Sequence, residues 1–134
     1  MNGPDRTLRH RIPADPDHLT DIRHALASWA SGIGMTAEQR EELVLATYEA
    51  MANSVEHAYA DDAEGIVIVD ATHHGDGAVT VTVTDRGRWK PPTPSNGLRG
   101  RGLLLIRSLA QDTRIDTHDR GTTVTMAWRP HGSS

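Results

Sequence analysis

The sequence has no cysteine, so it offers neither a disulfide framework nor a thiolate metal site. It also lacks the run of about 18 apolar residues that a membrane-spanning helix needs. Its first residues, MNGPDRTLRHR, are polar and unlike a signal peptide. There is no basic excess either: the net charge is −4, which argues against broad electrostatic binding to nucleic acid. From these absences we expect a cytoplasmic protein whose partners are neither membranes nor nucleic acids.

A chain of 134 residues fits one domain. A domain of this size buries roughly two-thirds of its unfolded surface, which is sufficient for a stable core. Phenylalanine is absent, so that core must depend on aliphatic residues and a few Trp and Tyr side chains. We expect a single domain over residues 1–134, with an ordered core of about residues 7–128.

The patterns of hydrophobic and turn residues predict strands and helices that are largely segregated. Thr36 and Gln39 have capping-box spacing and predict a helix start. The predicted elements are a strand at 7–12, a helix that ends at Gly32 and Gly34, a helix from Thr36 to Tyr59, strands at 66–69 and 79–84, a helix at 102–111, and a hairpin of 113–117 and 122–128. This order predicts an α+β, two-layer sandwich, with a mixed, mostly antiparallel sheet and helices packed on one face. The segment 85–100 is either a functional lid or disordered.

Glu49 and Asn53 lie four residues apart on the second predicted helix, so their side chains leave one face about 40° apart. The same side carries Glu38, Glu42 and Glu56, and an apolar arc lies opposite, at Leu43, Val44, Tyr48, Met51, Val55 and Tyr59. One interpretation is a solvated acidic face. The other is a phosphoryl-transfer site, in which the Asn53 amide oxygen binds Mg²⁺ and Glu49 acts as a general base. The helix alone leaves both open.

Three glycine-containing segments follow this helix. Asp85-Arg86-Gly87 comes after a predicted strand; it suits recognition of an exocyclic amine such as that of adenine, and it also suits an ordinary turn. The glycines between Gly97 and Gly102 precede a predicted helix, where they either form an anion site or a flexible loop. Gly121-Thr122-Thr123 opens the last strand and suits a hairpin turn.

In their order and spacing these segments resemble the four sequence boxes of the GHKL ATPases, which share the Bergerat ATP-binding fold. The boxes are Glu-x-x-x-Asn on a helix, Asp-x-Gly after a strand, Gly-x-Gly before a helix and Gly-Thr before a strand. The segment LVLATYEAMANSVEHAY, residues 43–59, is similar to the signature helix of the anti-sigma-factor serine kinases of the RsbW type. The resemblance covers about residues 7–128.

The resemblance implies a role for each matching residue. Glu49 matches the catalytic base, Asn53 the Mg²⁺ ligand, and Asp85 the adenine-recognising aspartate with Gly87 beside it. The remaining expected ATP contacts are Arg99, Gly100, Arg101, Gly102, Leu103 and Thr122. Two further candidates have an alternative: Trp89 either shields the base or simply packs, and His57, from its place on the helix, either reaches the nucleotide or is a polar residue at the helix edge. The first glycine box departs from the family pattern, because Trp89 replaces a second glycine. The prolines that follow make the expected lid short and stiff.

The resemblance implies a function as well. Such a domain binds a sigma factor and uses ATP and Mg²⁺ to phosphorylate a serine or threonine of a STAS-domain anti-anti-sigma factor, commonly as a homodimer. The alternative is a nucleotide-binding module that sequesters its partner without phosphate transfer, and the presence of Glu49 and Asn53 favours the kinase. A sensor histidine kinase is disfavoured, since no dimerisation helix with an acceptor histidine stands ahead. The eight histidines show no His-x-x-x-His spacing typical of a metal site.

Overall fold

The computed structural model describes residues 6–13, 15–55, 65–86, 105–118 and 121–129. These residues form two long helices and five strands: β1 (Arg6–Pro13), α1 (Pro16–Ser31), α2 (Ala37–Asn53), β2 (Ile66–His73), β3 (Val79–Asp85), β4 (Asp112–His118) and β5 (Gly121–Trp128). Residues 105–109 add a short helical segment ahead of β4. Within these ranges, no helix has the length and apolar character needed to cross a membrane.

The strands form one sheet in the order β1-β2-β3-β5-β4. Along β3 the buried Val79, Val81 and Val83 alternate with partly exposed threonines, because successive side chains of a strand point to opposite faces. The buried valines join residues of both long helices in one hydrophobic core, so the helices cover one face of the sheet. The predicted α+β sandwich is confirmed. All four pairings between described strands are antiparallel, so this part of the chain contains no parallel pair.

Both helices begin at side-chain caps that the sequence encodes. The Asp15 carboxylate accepts a hydrogen bond from the backbone N–H of Asp17 at 2.9 Å and starts α1. The predicted capping box of α2 is confirmed: the N–H of Gln39 donates to Thr36 Oγ1 at 3.1 Å, and the N–H of Thr36 donates to Gln39 Oε1 at 3.4 Å. The capping box fixes the residue at which α2 starts, and therefore the place where the other end of α2 meets the sheet.

The buried face of α2 differs from the predicted apolar arc. Its fully buried residues are Leu43, Ala46, Thr47, Ala50 and Met51. This face is centred about 130° round the helix from Glu49, and not directly opposite it. Val44 and Tyr48 are only partly buried and line a groove shared with α1. The prediction is confirmed for Leu43 and Met51 but was incomplete, because it weighted large apolar residues and omitted the small, fully buried side chains of Ala46, Thr47 and Ala50.

Most element bounds agree with the sequence predictions to within a residue or two. The exception is β2, which continues past Val69 to His73 because residues 70–73 pair with both β1 and β3. The helical segment 105–109 ends before the predicted residue 111, since the N–H of Gln111 already donates to the carbonyl of Ala127 in β5 at 3.0 Å. The predicted continuation of α2 to Tyr59 lies beyond the described residues.

Candidate functional site

Three chain segments converge at one edge of the core: the carboxyl end of α2, the end of β3 and the start of β5. The hydroxyl of Ser54, directly after α2, donates to Asp85 Oδ2 at 2.9 Å. Asp85 in turn stands opposite Thr122 in the β3–β5 register. Asn53, Ser54, Asp85 and Thr122 are between 1% and 5% exposed. These four buried polar side chains therefore form a cluster at the edge of the hydrophobic core.

Asp85 is the acidic member of this cluster. A carboxylate this deeply buried is costly unless hydrogen bonds compensate its lost hydration. Ser54 supplies one of them, to Oδ2, from the neighbouring helix. The bond fixes the plane of the carboxylate relative to both α2 and β3. A buried, oriented carboxylate of this kind is suited to accept a hydrogen bond from an amine of a bound ligand.

Asn53 and Thr122 carry polar atoms with unused hydrogen-bonding capacity. Within the described ranges, Asn53 Nδ2 and Thr122 Oγ1 are buried and have no hydrogen-bond partner. Leaving such a group unsatisfied costs about 1–3 kcal/mol. Native structures tolerate this cost rarely, and often where a ligand completes the bond. The cluster therefore has the character of a polar ligand site and not of a core defect.

Gly121 brings the backbone of β5 against the end of β3. A Cβ added at Gly121 would collide with the carbonyl oxygen of Asp85 and would lie 2.9 Å from Arg86 Cα. The φ angle of Gly121 is +154°. Only glycine fits this close approach, which places Thr122 directly beside Asp85.

Glu49 lies one helical turn before Asn53 and is partly buried. It stands at one end of a groove of about 690 Å³ between α1 and α2, which Arg23, Leu45 and Tyr48 also line. The Arg23 guanidinium sits 5.9 Å from the centre of the Tyr48 ring. Elsewhere along α2, burial and the neighbouring Glu38 charge raise the pKa of Glu42 above its ordinary value. Glu49 is thus positioned between the polar cluster and an open surface.

The described residues suit a cation that needs few protein ligands. They contain no group of three or more His, Cys, Asp or Glu side chains that would form a metal cage. Mg²⁺ does not require one, because it binds to one or two protein oxygens together with substrate phosphates and water. The amide of Asn53, whose nitrogen lacks a partner among the described residues, fits this requirement after a half-turn of the amide group.

Four of the residues predicted from sequence fall in the described ranges. The structure brings Asn53, Asp85 and Thr122 together and places Glu49 a turn away along the same helix. The other predicted contacts lie outside the described residues: His57, Gly87, Trp89, Arg99, Gly100, Arg101, Gly102 and Leu103. Sequence reasoning missed Ser54. Its only signal was a small polar residue next to Asn53, which says nothing about a distant aspartate.

Comparisons with known proteins find related sequences over most of the chain. The sequence model of the histidine kinase-like ATPase domain matches residues 12–128. The serine-protein kinase RsbW of Bacillus subtilis (strain 168) is 33% identical over 134 residues, covering 89% of this chain and 82% of that protein. The serine-protein kinase RsbW of Oceanobacillus iheyensis is 30% identical over 124 residues, covering 81% of this chain and 78% of that protein.

Solved structures give the same result. The crystal structure of the RsbU and RsbW domains of a Mycobacterium tuberculosis protein aligns with a TM-score of 0.76 at 30% identity, over 92% of this chain and 32% of that longer one. The histidine kinase domain of a blue-light activated histidine kinase from Erythrobacter litoralis aligns with a TM-score of 0.59 at 23% identity, over 87% of this chain and 60% of that one. The second likeness shows a shared fold alone.

Proposed function

Because the chain belongs to the histidine kinase-like ATPase family, we propose that it is an ATP-dependent serine/threonine protein kinase that also acts as an anti-sigma factor. The observation that carries this proposal is the buried cluster of Asn53, Ser54, Asp85 and Thr122 at the end of α2. Its members include three residues that the family pattern assigns to ATP. The likeness to curated serine-protein kinases supports a hydroxyl acceptor on a protein.

We assign the adenine end of the site to Asp85 and Thr122. The Asp85 carboxylate, held by Ser54, accepts a hydrogen bond from the exocyclic amine of the base. Thr122, with a hydroxyl that lacks a partner among the described residues, supports the same end of the nucleotide. The phosphates then belong near Asn53 and the glycine-containing residues 97–102.

We assign Mg²⁺ binding to Asn53. When bound with the nucleotide, Mg²⁺ neutralises the charge that develops on the transferring phosphate. Asn53 contributes an amide oxygen from the last turn of a helix whose start is fixed by its capping box and whose sheet-facing side is fully buried. This rigidity holds the ligand in place before the nucleotide arrives.

Asn53→Ala is expected to remove most of the Mg²⁺ dependence of ATP binding. Even outer-shell partners of a metal are worth about 10- to 100-fold in affinity, so loss of a direct ligand should weaken Mg·ATP binding by at least this factor. Titrating ATP with and without Mg²⁺ measures the effect. Gln111→Ala is the control, because it removes an amide outside α2 and outside the buried cluster, where Gln111 Oε1 accepts a hydrogen bond from the backbone N–H of Arg129. Equal Mg²⁺ dependence in wild type and Asn53→Ala would exclude Asn53 as the ligand.

We assign to Glu49 the role of general base. Its carboxylate lies on the α2 turn before Asn53 and borders an open groove, so an acceptor hydroxyl can approach from solvent. There Glu49 orients the hydroxyl and accepts its proton as the oxygen attacks the terminal phosphate. The products are ADP and a phosphorylated serine or threonine.

The proposed partners are a sigma factor and a STAS-domain anti-anti-sigma factor. Phosphorylation adds close to two negative charges to the antagonist, which weakens its docking by repulsion and desolvation. The kinase released in this way binds the sigma factor and holds it inactive.

We further propose that the chain is a cytoplasmic homodimer, as the family resemblance implies; sedimentation equilibrium measures the dimer directly.

Partner release distinguishes this kinase from the alternative, a module that binds nucleotide and partner without phosphate transfer. Addition of Mg·ATP to the complex with its STAS antagonist is expected to dissociate the complex, whereas a non-hydrolysable ATP analogue leaves it intact. Size-exclusion chromatography follows both reactions. A complex that responds identically to ATP and to the analogue would favour the binding module.

A further inference from the structure

The side chain of Ser54 links the end of α2 to the buried carboxylate at the end of β3. We propose that Ser54 is a positioning residue: it sets the orientation of the Asp85 carboxylate and thereby makes the site selective for a base with an exocyclic amine. This inference rests on the proposed function, since it takes Asp85 as the group that reads the base. It adds a residue that the sequence motifs do not include.

The geometry of the Ser54 hydroxyl favours the carboxylate over the helix backbone. Ser54 Oγ lies 2.9 Å from Asp85 Oδ2 and 3.2 Å from the carbonyl oxygen of Ala50. A serine hydroxyl has one hydrogen to donate. The shorter contact, to the carboxylate oxygen of Asp85, is the stronger hydrogen bond. The Ser54 hydroxyl therefore donates its hydrogen mainly to Asp85. The Ala50 carbonyl does not depend on this hydroxyl, because it also accepts a hydrogen bond from the backbone N–H of Ser54.

Burial makes this bond an orienting one. Ser54 is 1% exposed and Asp85 is 2% exposed, so water cannot readily substitute for the serine hydroxyl. A terminal carboxylate rotates over a broad, nearly two-fold torsional profile. The bond from Ser54 to Oδ2 restricts that rotation and thereby fixes the direction of Oδ1. The backbone is fixed separately, because Asp85 pairs with Val67 on one side and Thr122 on the other.

Ser54 directly continues α2, with helical φ and ψ angles of −61° and −44° and an N–H that donates to the Ala50 carbonyl. The helix widens to a π turn at residues 54–55, directly after Asn53. Such turns are rare and occur frequently at functional sites. Asn53 and Ser54 are both buried at the end of α2. One short segment therefore carries the residue assigned to Mg²⁺ and the residue that orients the base-reading Asp85.

The chemical consequence is discrimination at position 6 of a purine. Adenine presents an amine donor there, which an oriented carboxylate oxygen accepts. Hypoxanthine presents a carbonyl oxygen there, which meets the carboxylate as a second acceptor, so that no hydrogen bond forms between these two groups. A carboxylate that is free to rotate would lose part of this difference, because it no longer presents its oxygen in the direction of the donor.

The test compares the affinities of ATP and inosine triphosphate, measured by calorimetry, for wild type, Ser54→Ala and Ser54→Thr. Wild type is expected to prefer ATP. Ser54→Ala should reduce the ATP/inosine triphosphate affinity ratio by about tenfold, the size expected for a hydrogen bond to a charged group. Ser54→Thr retains the hydroxyl and should restore much of the ratio. Ser31→Ala is the matched control, because Ser31 Oγ makes the same i−4 bond, to Ala27 at 3.0 Å, in α1.

The affinity ratio separates positioning from general support of the fold. A purely structural role for Ser54 would weaken both nucleotides equally in Ser54→Ala and leave the ratio at the wild-type value, which would overturn the inference. An unchanged affinity for both nucleotides would overturn it as well. If wild type itself binds both triphosphates equally, Asp85 does not read the amine, and the adenine assignment falls together with Ser54.

Discussion

Glu49→Gln is expected to lower the rate of phosphate transfer to the acceptor protein by about 10²- to 10⁴-fold, the usual contribution of a positioned general base. The amide has nearly the same shape as the carboxylate but accepts no proton from the attacking hydroxyl. Glu49 lies on the groove side of α2 and outside the buried cluster, so binding of ATP should change by no more than about twofold. Single-turnover transfer and equilibrium ATP binding measure the two effects separately.

Glu41→Gln provides the matched control for Glu49→Gln. Glu41 lines the same groove and is an exposed glutamate of the same helix, so its replacement removes an equal charge from the same surface. Transfer by Glu41→Gln should remain close to that of wild type. If both variants lost activity equally, the effect would come from the charge of the groove and not from proton transfer at Glu49. If Glu49→Gln kept full activity, Glu49 would not be the base.

Gly121→Ala is expected to lower the free energy of unfolding by about 3 kcal/mol, at the upper end of ordinary point substitutions. The added methyl group would meet the carbonyl oxygen of Asp85, a backbone atom that moves only if β3 moves. The shift would separate Thr122 from Asp85, because these residues are direct partners in the register. ATP affinity should therefore fall as well. Chemical denaturation and nucleotide titration of the same variant measure the two losses.

Gly34→Ala isolates the backbone component of this prediction. Gly34 has a φ angle of +82°, and an added Cβ would have no heavy atom within 4 Å. The substitution should cost only the conformational strain of about 1–2 kcal/mol, and ATP affinity should be unchanged. A Gly121→Ala variant as stable as Gly34→Ala, with wild-type ATP affinity, would contradict the close packing of β5 against β3.

The fold could be predicted largely because each element carries a local signal. The Thr36–Gln39 capping box marks the start of α2, and the alternating valines and threonines mark β3. The extent of β2 to His73 has no such signal, since polar residues there are held by strand pairing on both sides. The buried face of α2 was predicted only in part, since Leu43 and Met51 are buried as expected, whereas the small Ala46 and Ala50 are buried for a reason that large apolar residues do not indicate.

The site could be predicted in part. Glu49, Asn53, Asp85 and Thr122 were found because their order along the chain matches a family pattern, and the described structure places them around one end of α2. Ser54 was not found, since its importance depends on a contact with a residue 31 positions away. The family pattern specifies the spacing of the ligand-binding residues along the sequence. It does not specify the side chains that hold those residues in place in the folded protein.

The most direct test of the kinase proposal is the chemical identity of the phosphorylated residue after the protein is incubated with Mg·ATP and a cognate STAS-domain protein. The proposal predicts acid-stable phosphoserine or phosphothreonine on the STAS protein, detected by mass spectrometry and greatly reduced in Glu49→Gln. Phosphohistidine, or an unmodified STAS protein that remains bound in the presence of ATP, would contradict it.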